Sequence, residues 1–200
     1  MSQPTRLVFF GSSQMSAAAL RELLGQADIE VVAVVSKPTK SQAHRSQRDT
    51  PVAQLAADHG LRLLRPIHVL DVLDELLDLD ASVAVLFAYG QILPASILEV
   101  FPHGIINIHP SLLPRWRGPS PIESTILAGD TLAGTSLILL ESSMDTGPIL
   151  SQKSWPISNS ISKDQLTNDL VAASLELLLP TLRNYLNGKI TPMPQDETAA

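Results

Sequence analysis

Short apolar runs that alternate with amphipathic helical patterns constrain the fold of this chain more than any other feature. Four segments are short, apolar and bounded by turn residues, as buried strands are. These segments are residues 7–10, 31–35, 83–87 and 105–108. Between them, Thr50 and Pro51 supply an N-cap and a first-turn proline, and Asp71 is expected to cap a helix through Leu77. The alternation predicts an α/β fold, Rossmann-like and doubly wound, with a mostly parallel sheet and helices on both faces.

The sequence pattern changes after Gly104. Residues 135–140 and 149–154 resemble strands on either side of a turn-rich segment, most simply an antiparallel extension that makes the sheet mixed. Ser162 and Gln165 have the spacing of a capping box, and the apolar pattern that follows predicts one long helix ending at Leu186. We expect a single catalytic domain over residues 1–189 and, in the polar residues 190–200, a linker toward a further domain.

Composition narrows the possible functions. A chain of 200 residues, of which 44% are hydrophobic, is long enough to form one sizeable core. The net charge of −6 argues against a surface that is basic throughout, so contact with a nucleic acid requires a local basic patch. The absence of cysteine excludes disulfides and thiolate metal ligands, and it agrees with a reducing compartment. Since no apolar run reaches membrane-spanning length, we expect a cytoplasmic protein that does not associate with a membrane. We also expect a monomer.

The segment from Gly104 to Gly118 carries the most chemical information. Side chains two positions apart on a strand lie on the same face, so Asn107 and His109 are expected to project together. Pro110 then interrupts the strand, which places this pair at a carboxyl end, where open α/β sheets bind ligands. An amide beside an imidazole can stabilise a negatively charged oxygen.

A carboxylate nearby would orient the imidazole and favour its charged form, and Asp145, in a tight turn that ends at Gly147, is a candidate. Each residue also has a plainer interpretation. An asparagine and a histidine at a strand end are more often polar residues with ordinary hydrogen bonds, and an aspartate before Thr-Gly is a common turn former. Residue types and spacing alone therefore leave the site open.

A resemblance to a known family favours the catalytic interpretation. The run from Asn107 to Gly118, followed by Asp145-Thr146-Gly147-Pro148, resembles the signature of the 10-formyltetrahydrofolate-dependent formyltransferases. The resemblance covers essentially the whole chain and is strongest over residues 83–150. Within the family, residues 114–122, 145–150 and 194–198 resemble most the methionyl-tRNA formyltransferases.

The resemblance implies a direct transfer, in which an amine attacks the formyl carbon of 10-formyltetrahydrofolate and no metal takes part. Asn107 and a protonated His109 would hold the oxygen that becomes negative, and Asp145 would keep His109 oriented and charged. The folate would be contacted by two segments, largely through their backbone groups. The residues of these segments are Gln91, Ile92, Leu93, Ser111, Leu112, Leu113 and Pro114.

Two basic segments are candidate contacts for tRNA. Residues 37–48 contain four basic residues and no acidic one. They form either an ordinary solvent-exposed loop or, by resemblance, the loop that binds the acceptor stem of the tRNA through its phosphates. Two arginines flank Trp116, which either anchors its loop to the domain or stacks on a base. The candidate tRNA-binding residues are Lys37, Lys40, Arg45, Arg48, Arg115 and Arg117.

The predicted function is transfer of a formyl group from 10-formyltetrahydrofolate to the amino group of methionyl initiator tRNA, a step of translation initiation. The first alternative is a related enzyme that formylates an amino sugar nucleotide or glycinamide ribonucleotide. Ser12 or Ser13, at a helix start, would then hold the anion of the acceptor or would only cap the helix. The second alternative is a folate-binding domain without transfer activity.

Overall fold

The computed structural model describes residues 3–38 and 49–199. These residues form two compact units, Met1–Ile105 and Ile106–Ala200, and each unit contains hydrogen-bonded strands. None of the helices found within the described residues combines the length and the apolar character needed to cross a bilayer.

The first unit is built on a parallel sheet. Its strands are β1 (Thr5–Gly11), β2 (Ile29–Val35), β3 (Leu63–Leu64) and β4 (Val83–Phe87). Their hydrogen-bonded order is β3-β2-β1-β4, which matches the first four strands of the Rossmann order 3-2-1-4-5-6. All five residues of β4 are buried, because helices and loops cover a parallel strand on both faces.

Four helices accompany this sheet. They are α1 (Gln14–Leu24), α2 (Pro51–Asp58), α3 (Leu73–Leu77) and α4 (Ala95–Leu98). Ser13 caps α1, since its hydroxyl accepts a hydrogen bond from the Ser16 N–H at 3.1 Å and the Ser16 hydroxyl accepts one from the Ser13 N–H at 3.2 Å. Thr50 caps α2 through the N–H of Ala53, as predicted.

The prediction that Asp71 caps a helix is wrong. Val69–Val72 form a 3-10 helix ahead of α3, and Asp71 lies inside it. Its carboxylate reaches back to accept a hydrogen bond from the N–H of His68 at 3.0 Å. A helix N-cap lies before the N–H groups from which its side chain accepts hydrogen bonds. Asp71 instead lies after the residue whose N–H it binds, inside the 3-10 helix.

The second unit contains antiparallel strands. β5 (Ile105–His109) begins at the boundary between the units, and it is followed by β6 (Leu132–Leu139) and β7 (Ile149–Pro156). β5 pairs with β6, and β6 pairs with β7, in antiparallel fashion. Parallel pairing in the first unit and antiparallel pairing in the second confirm the predicted α/β class with mixed strand directions.

The helices of the second unit are α5 (Pro121–Leu127) and α6 (Lys163–Leu186). The Ser162 hydroxyl caps α6 by accepting a hydrogen bond from the N–H of Gln165 at 3.1 Å. The other half of the predicted capping box is wrong, because the Gln165 side chain donates instead to Asp169 at 2.8 Å, one turn further along the helix.

Two hydroxyl pairs, one buried and one partly buried, join α6 to the strands of the second unit. Thr135 on β6 pairs with Ser174 at 2.8 Å, and Ser151 on β7 pairs with Thr181 at 2.7 Å. The Thr135 hydroxyl also donates to the carbonyl oxygen of His109 at 3.2 Å. The helix is therefore held by directional contacts as well as by buried leucines.

Residues 190–199 pack against the second unit. Met193 and Ile149 exchange two backbone hydrogen bonds, of 2.7 and 2.9 Å. Gln195 is buried, and a short 3-10 helix, Glu197–Ala199, follows it. The assignment of residues 1–189 to a catalytic domain and of residues 190–200 to a linker stays a prediction.

Candidate active site

The carboxylate of Asp145 brings together the two polar side chains of β5. The Asn107 amide Nδ2 donates to Asp145 Oδ1 at 3.2 Å, and His109 Nδ1 lies 3.5 Å from Asp145 Oδ2. Asn107 and His109 are each 5% exposed, so water screens these contacts weakly. Each carboxylate oxygen thus faces a different side chain, although Asp145 is 38 positions from Asn107.

The backbone around Asp145 is unusual. Its φ is +53°, in the left-handed region that non-glycine residues rarely adopt. The backbone N–H of Gly118 donates to Asp145 Oδ2 at 2.9 Å, and Gly118 itself has φ +98°. Residues held in sparsely populated backbone conformations cluster at functional sites. In this turn the backbone conformation places the Asp145 carboxylate next to the side chains of β5.

The second ring nitrogen of His109 also faces an acceptor. His109 Nε2 lies 2.9 Å from the carbonyl oxygen of Trp116. A carbonyl oxygen can only accept, and so can an ionised carboxylate, so the ring can donate to both partners only when both of its nitrogens carry a proton. Both ring nitrogens of His109 therefore face oxygen atoms that can accept a hydrogen bond.

The Trp116 carbonyl is held in place by the rest of its residue. The indole Nε1 donates to Asp130 at 2.7 Å, and the Arg115 guanidinium lies over the indole ring at 4.1 Å from its centroid. Arg115 also binds both carboxylate oxygens of Asp130, at 2.7 and 3.2 Å. In this structure Trp116 anchors its loop, which is the first of its two predicted roles.

Asp130 is thus expected to stabilise the folded protein in a pH-dependent way. Its hydrogen bond with Arg115 holds the pKa of the Asp130 carboxyl below its ordinary value. A lowered pKa contributes stability that is present above the pKa of the unfolded chain and is lost as the pH falls. Asp130→Asn should therefore lower the free energy of unfolding by about 1–2 kcal/mol at pH 7, and the deficit should shrink below about pH 4.

Urea unfolding at pH 7 and at pH 3.5 measures both parts of this prediction. Asp58→Asn is the matched control, because Asp58 is an exposed aspartate that accepts a hydrogen bond from Gln54 in the same helix. An Asp130→Asn deficit of the same size at both pH values would contradict the assigned role of the ionised carboxylate.

A family model described as Formyl transferase matches residues 5–182, which include all three side chains of this cluster. The chain belongs to the formyl transferase family. It is 40% identical, over 98% of its length, to the methionyl-tRNA formyltransferase of Roseiflexus sp. (strain RS-1), and it spans 62% of the length of that relative.

Solved structures share the fold of this formyl transferase chain. Glycinamide ribonucleotide transformylase 1 from Symbiobacterium toebii superposes with a TM-score of 0.81 at 19% identity, and the match covers 96% of each chain. The N-formyltransferase from Helicobacter canadensis, in complex with folinic acid and dTDP-3-aminofucose, gives a TM-score of 0.76 at 18% identity, covering 96% of this chain and 68% of the other. These matches confirm the predicted fold.

The segment of the formyl transferase chain that starts at Ser111 is tightly held. The Ser111 hydroxyl donates a hydrogen bond to the carbonyl oxygen of Arg115 at 2.7 Å, and the Ser111 carbonyl oxygen accepts one from the Ser136 hydroxyl at 2.6 Å. The Leu113 N–H donates to Ser136 and the Leu113 carbonyl accepts from Gln152. These backbone groups already have partners. A folate bound here would therefore be contacted mainly by side chains and by the other backbone groups of Leu112 and Pro114.

The other predicted folate segment lies in the first unit. The Gln91 amide accepts from the N–H of Val69 at 3.2 Å, whereas Ile92 is 74% exposed and Leu93 is buried. Just before them, Tyr89 is buried, its hydroxyl has no hydrogen-bond partner among residues 3–38 and 49–199, and burial raises its pKa to about 12. Folate contact by Gln91, Ile92 and Leu93 stays a prediction.

The predicted tRNA contacts of this formyl transferase chain fall into three groups. Lys40, Arg45 and Arg48 lie outside the described residues. Lys37 is half-buried, next to Gly90, in the first unit. Arg115 and Arg117 are engaged within the second unit, Arg115 with Asp130 and Arg117 with Gln195 and Glu197. Contact of any of them with tRNA stays a prediction.

The sequence did not reveal several groups that touch the cluster. The Trp116 carbonyl and the Gly118 N–H are backbone groups, which residue type does not reveal. Gln195 holds the Asp145 turn, and its position in the segment that resembles methionyl-tRNA formyltransferases was the available signal. Within the described residues, no cluster of three His, Cys, Asp or Glu side chains has a metal-binding arrangement.

Proposed function

We propose that this chain catalyses transfer of a formyl group from 10-formyltetrahydrofolate to the amino group of methionyl initiator tRNA. The observation that carries the proposal is the buried cluster of an amide, an imidazole and a carboxylate at the end of β5. The Roseiflexus relative supports the acceptor, because it is named a methionyl-tRNA formyltransferase and is similar along nearly the whole chain. The Helicobacter canadensis N-formyltransferase, solved with folinic acid, supports a folate donor.

The bound 10-formyltetrahydrofolate would supply the formyl group. The acceptor amine would form a bond to the formyl carbon, and the bond from that carbon to N10 would break. N10 would then receive the proton that the amine loses. In the proposed mechanism the residues of the cluster act on the charge and on the proton. Asn107 Nδ2 has two N–H bonds, of which one donates to Asp145, and the other would stabilise the negative formyl oxygen.

His109 and Asp145 have complementary roles in the proposed mechanism. The protonated His109 would donate to the same oxygen as Asn107, after giving up its hydrogen bond to the Trp116 carbonyl. Asp145 would balance the charge of the imidazolium across 3.5 Å, would accept the proton of the amine through a water molecule, and would return that proton to N10 as the bond from N10 to the formyl carbon breaks. Ser111, Leu112, Leu113 and Pro114, which follow His109 directly, would contact the folate.

The acceptor decides between the proposed function and its alternatives. We would incubate the purified chain with 10-formyltetrahydrofolate and either methionyl initiator tRNA, glycinamide ribonucleotide or dTDP-3-aminofucose, and measure the formylated product by mass spectrometry. Formylation of the methionyl group alone is the expected result. A product with only one of the small acceptors, or folate binding without any product, would refute the proposal.

Asn107→Ala tests the amide within this mechanism. Loss of one donor to a developing negative oxygen costs about 10²- to 10³-fold in kcat, and we expect a decrease near the lower limit because His109 retains its role. The KM for methionyl-tRNA should change less than threefold, since Asn107 is proposed to contact the formyl oxygen of the folate and not the tRNA. Steady-state formylation measures both values, and an unchanged kcat would exclude Asn107 as a donor.

A further inference from the structure

The amide of Gln195 connects the Asp145 turn to the loop that carries Gly118. Gln195 Nε2 donates to the carbonyl oxygens of Asp145, at 2.7 Å, and of Gly147, at 2.8 Å. Gln195 Oε1 accepts from Arg117 Nε and Nη2, at 3.1 and 2.8 Å. The side chain is 8% exposed, and all four of its hydrogen-bonding positions are in use.

The turn that Gln195 binds requires support from its surroundings. Asp145 has φ +53°, and such a conformation persists in a non-glycine residue only where neighbouring groups fix it. Gly147 is packed so closely that an added Cβ would overlap the carbonyl oxygen of Leu139. The backbone of the turn is therefore packed against Leu139 and is also hydrogen-bonded to the Gln195 amide.

Arg117 determines the orientation of the Gln195 amide. Its guanidinium also binds Glu197, at 2.7 and 2.9 Å, and this contact raises the pKa of Arg117 and lowers that of Glu197. A guanidinium only donates, so the oxygen of the Gln195 amide must face Arg117, and its NH2 group must then face the turn. The next residue along the chain, Gly118, donates to Asp145 Oδ2.

We propose that Gln195 is a positioning residue that acts through Asp145. It holds the backbone of the turn in the one place from which the carboxylate meets Asn107, His109 and Gly118 together. Gln195 lies beyond residues 5–182, the part of the chain that matches the family model. The catalytic consequence rests on the proposed function, whereas the consequence for the turn does not.

Hydrogen exchange of the Gly118 amide tests the effect on the turn without any assay of activity. Gln195→Glu keeps the size of the side chain but places an oxygen opposite the two carbonyl oxygens, and Gln195→Ala removes the amide. We expect the Gly118 N–H to exchange about tenfold faster in either variant. Gln165→Ala, at an exposed glutamine of the same unit, should leave this rate unchanged. Unchanged exchange in both Gln195 variants would overturn the inference.

A double-mutant cycle tests the catalytic consequence. Gln195→Ala should lower kcat about tenfold and leave the KM for the acceptor unchanged, but it should have no further effect in a chain that already carries Asp145→Asn. Equal tenfold decreases in both backgrounds would show that Gln195 acts independently of Asp145 and would overturn the inference. If the unsubstituted chain transfers no formyl group, the proposed function fails, and the exchange rates still decide the role of Gln195.

Discussion

Replacement of Asp145 by asparagine is expected to lower kcat for formyl transfer by about 10³- to 10⁴-fold, as when an aspartate that orients a catalytic histidine is neutralised. The carboxylate accepts hydrogen bonds from Asn107 and from Gly118, and it faces His109 Nδ1. An asparagine has one acceptor oxygen, so its NH2 group must face at least one of these donors, and it has no charge to balance an imidazolium. Single-turnover transfer with saturating methionyl-tRNA measures the effect on the chemical step.

The fold should survive this substitution, which makes the result interpretable. Asparagine tolerates a φ of +53° better than most residues, so the turn can keep its backbone conformation. We expect the free energy of unfolding to decrease by no more than about 3 kcal/mol. A kcat within tenfold of the unsubstituted value, in a folded Asp145→Asn protein, would show that the carboxylate is not needed.

His109→Ala is expected to lower kcat by about 10³-fold, because the substitution removes both a donor to the negative oxygen and the only imidazole of the cluster. His109→Gln should lose less activity, since an amide nitrogen near the position of Nε2 can still donate a hydrogen bond but cannot carry a proton. Measurement of both variants separates hydrogen bonding from charge, and equal kcat values for the two would indicate that the charge contributes most of the effect.

His59→Ala is the matched control for His109, because His59 is exposed at the end of α2. It should retain full activity and stability. His109→Ala removes the closer of the two donors to the Trp116 carbonyl and leaves only the Ser111 hydroxyl at 3.4 Å, so we expect its free energy of unfolding to fall by about 1–3 kcal/mol. Activity near that of the unsubstituted chain in folded His109→Ala would refute the proposed role of the imidazole.

The sequence predicted the strands well because each is a short apolar run that has few alternatives to burial. Every strand predicted from residue pattern appears in the structure, with ends that differ by a few residues. The two-residue strand β3 was not predicted, and the side-chain capping predictions at Asp71 and Gln165 are wrong because a local motif allowed more than one hydrogen bond. At both positions the side chain forms a hydrogen bond with a different nearby group from the one predicted, and a sequence motif cannot distinguish between the two groups.

The candidate site was only partly predictable from residue pattern. The shared face of Asn107 and His109 follows from the period of a strand. The proximity of Asp145 to this pair does not follow from residue pattern, because a turn 38 positions away can meet β5 only through the tertiary fold. The resemblance to a family was the basis for predicting that proximity. The roles of the Trp116 carbonyl and the Gly118 N–H depend on backbone geometry, since every residue except proline has both groups.

The hydroxyl pairs between α6 and its strands have a consequence for how the helix can vary. Leucines on α6 can be exchanged for other apolar side chains with little change in position, since their contacts are not directional. A hydroxyl pair tolerates only a few tenths of an ångström, whereas a shift by one residue moves a helix by about 1.5 Å. Because Thr135 binds both Ser174 and the carbonyl of His109, sliding of α6 along its axis would pull on the end of β5.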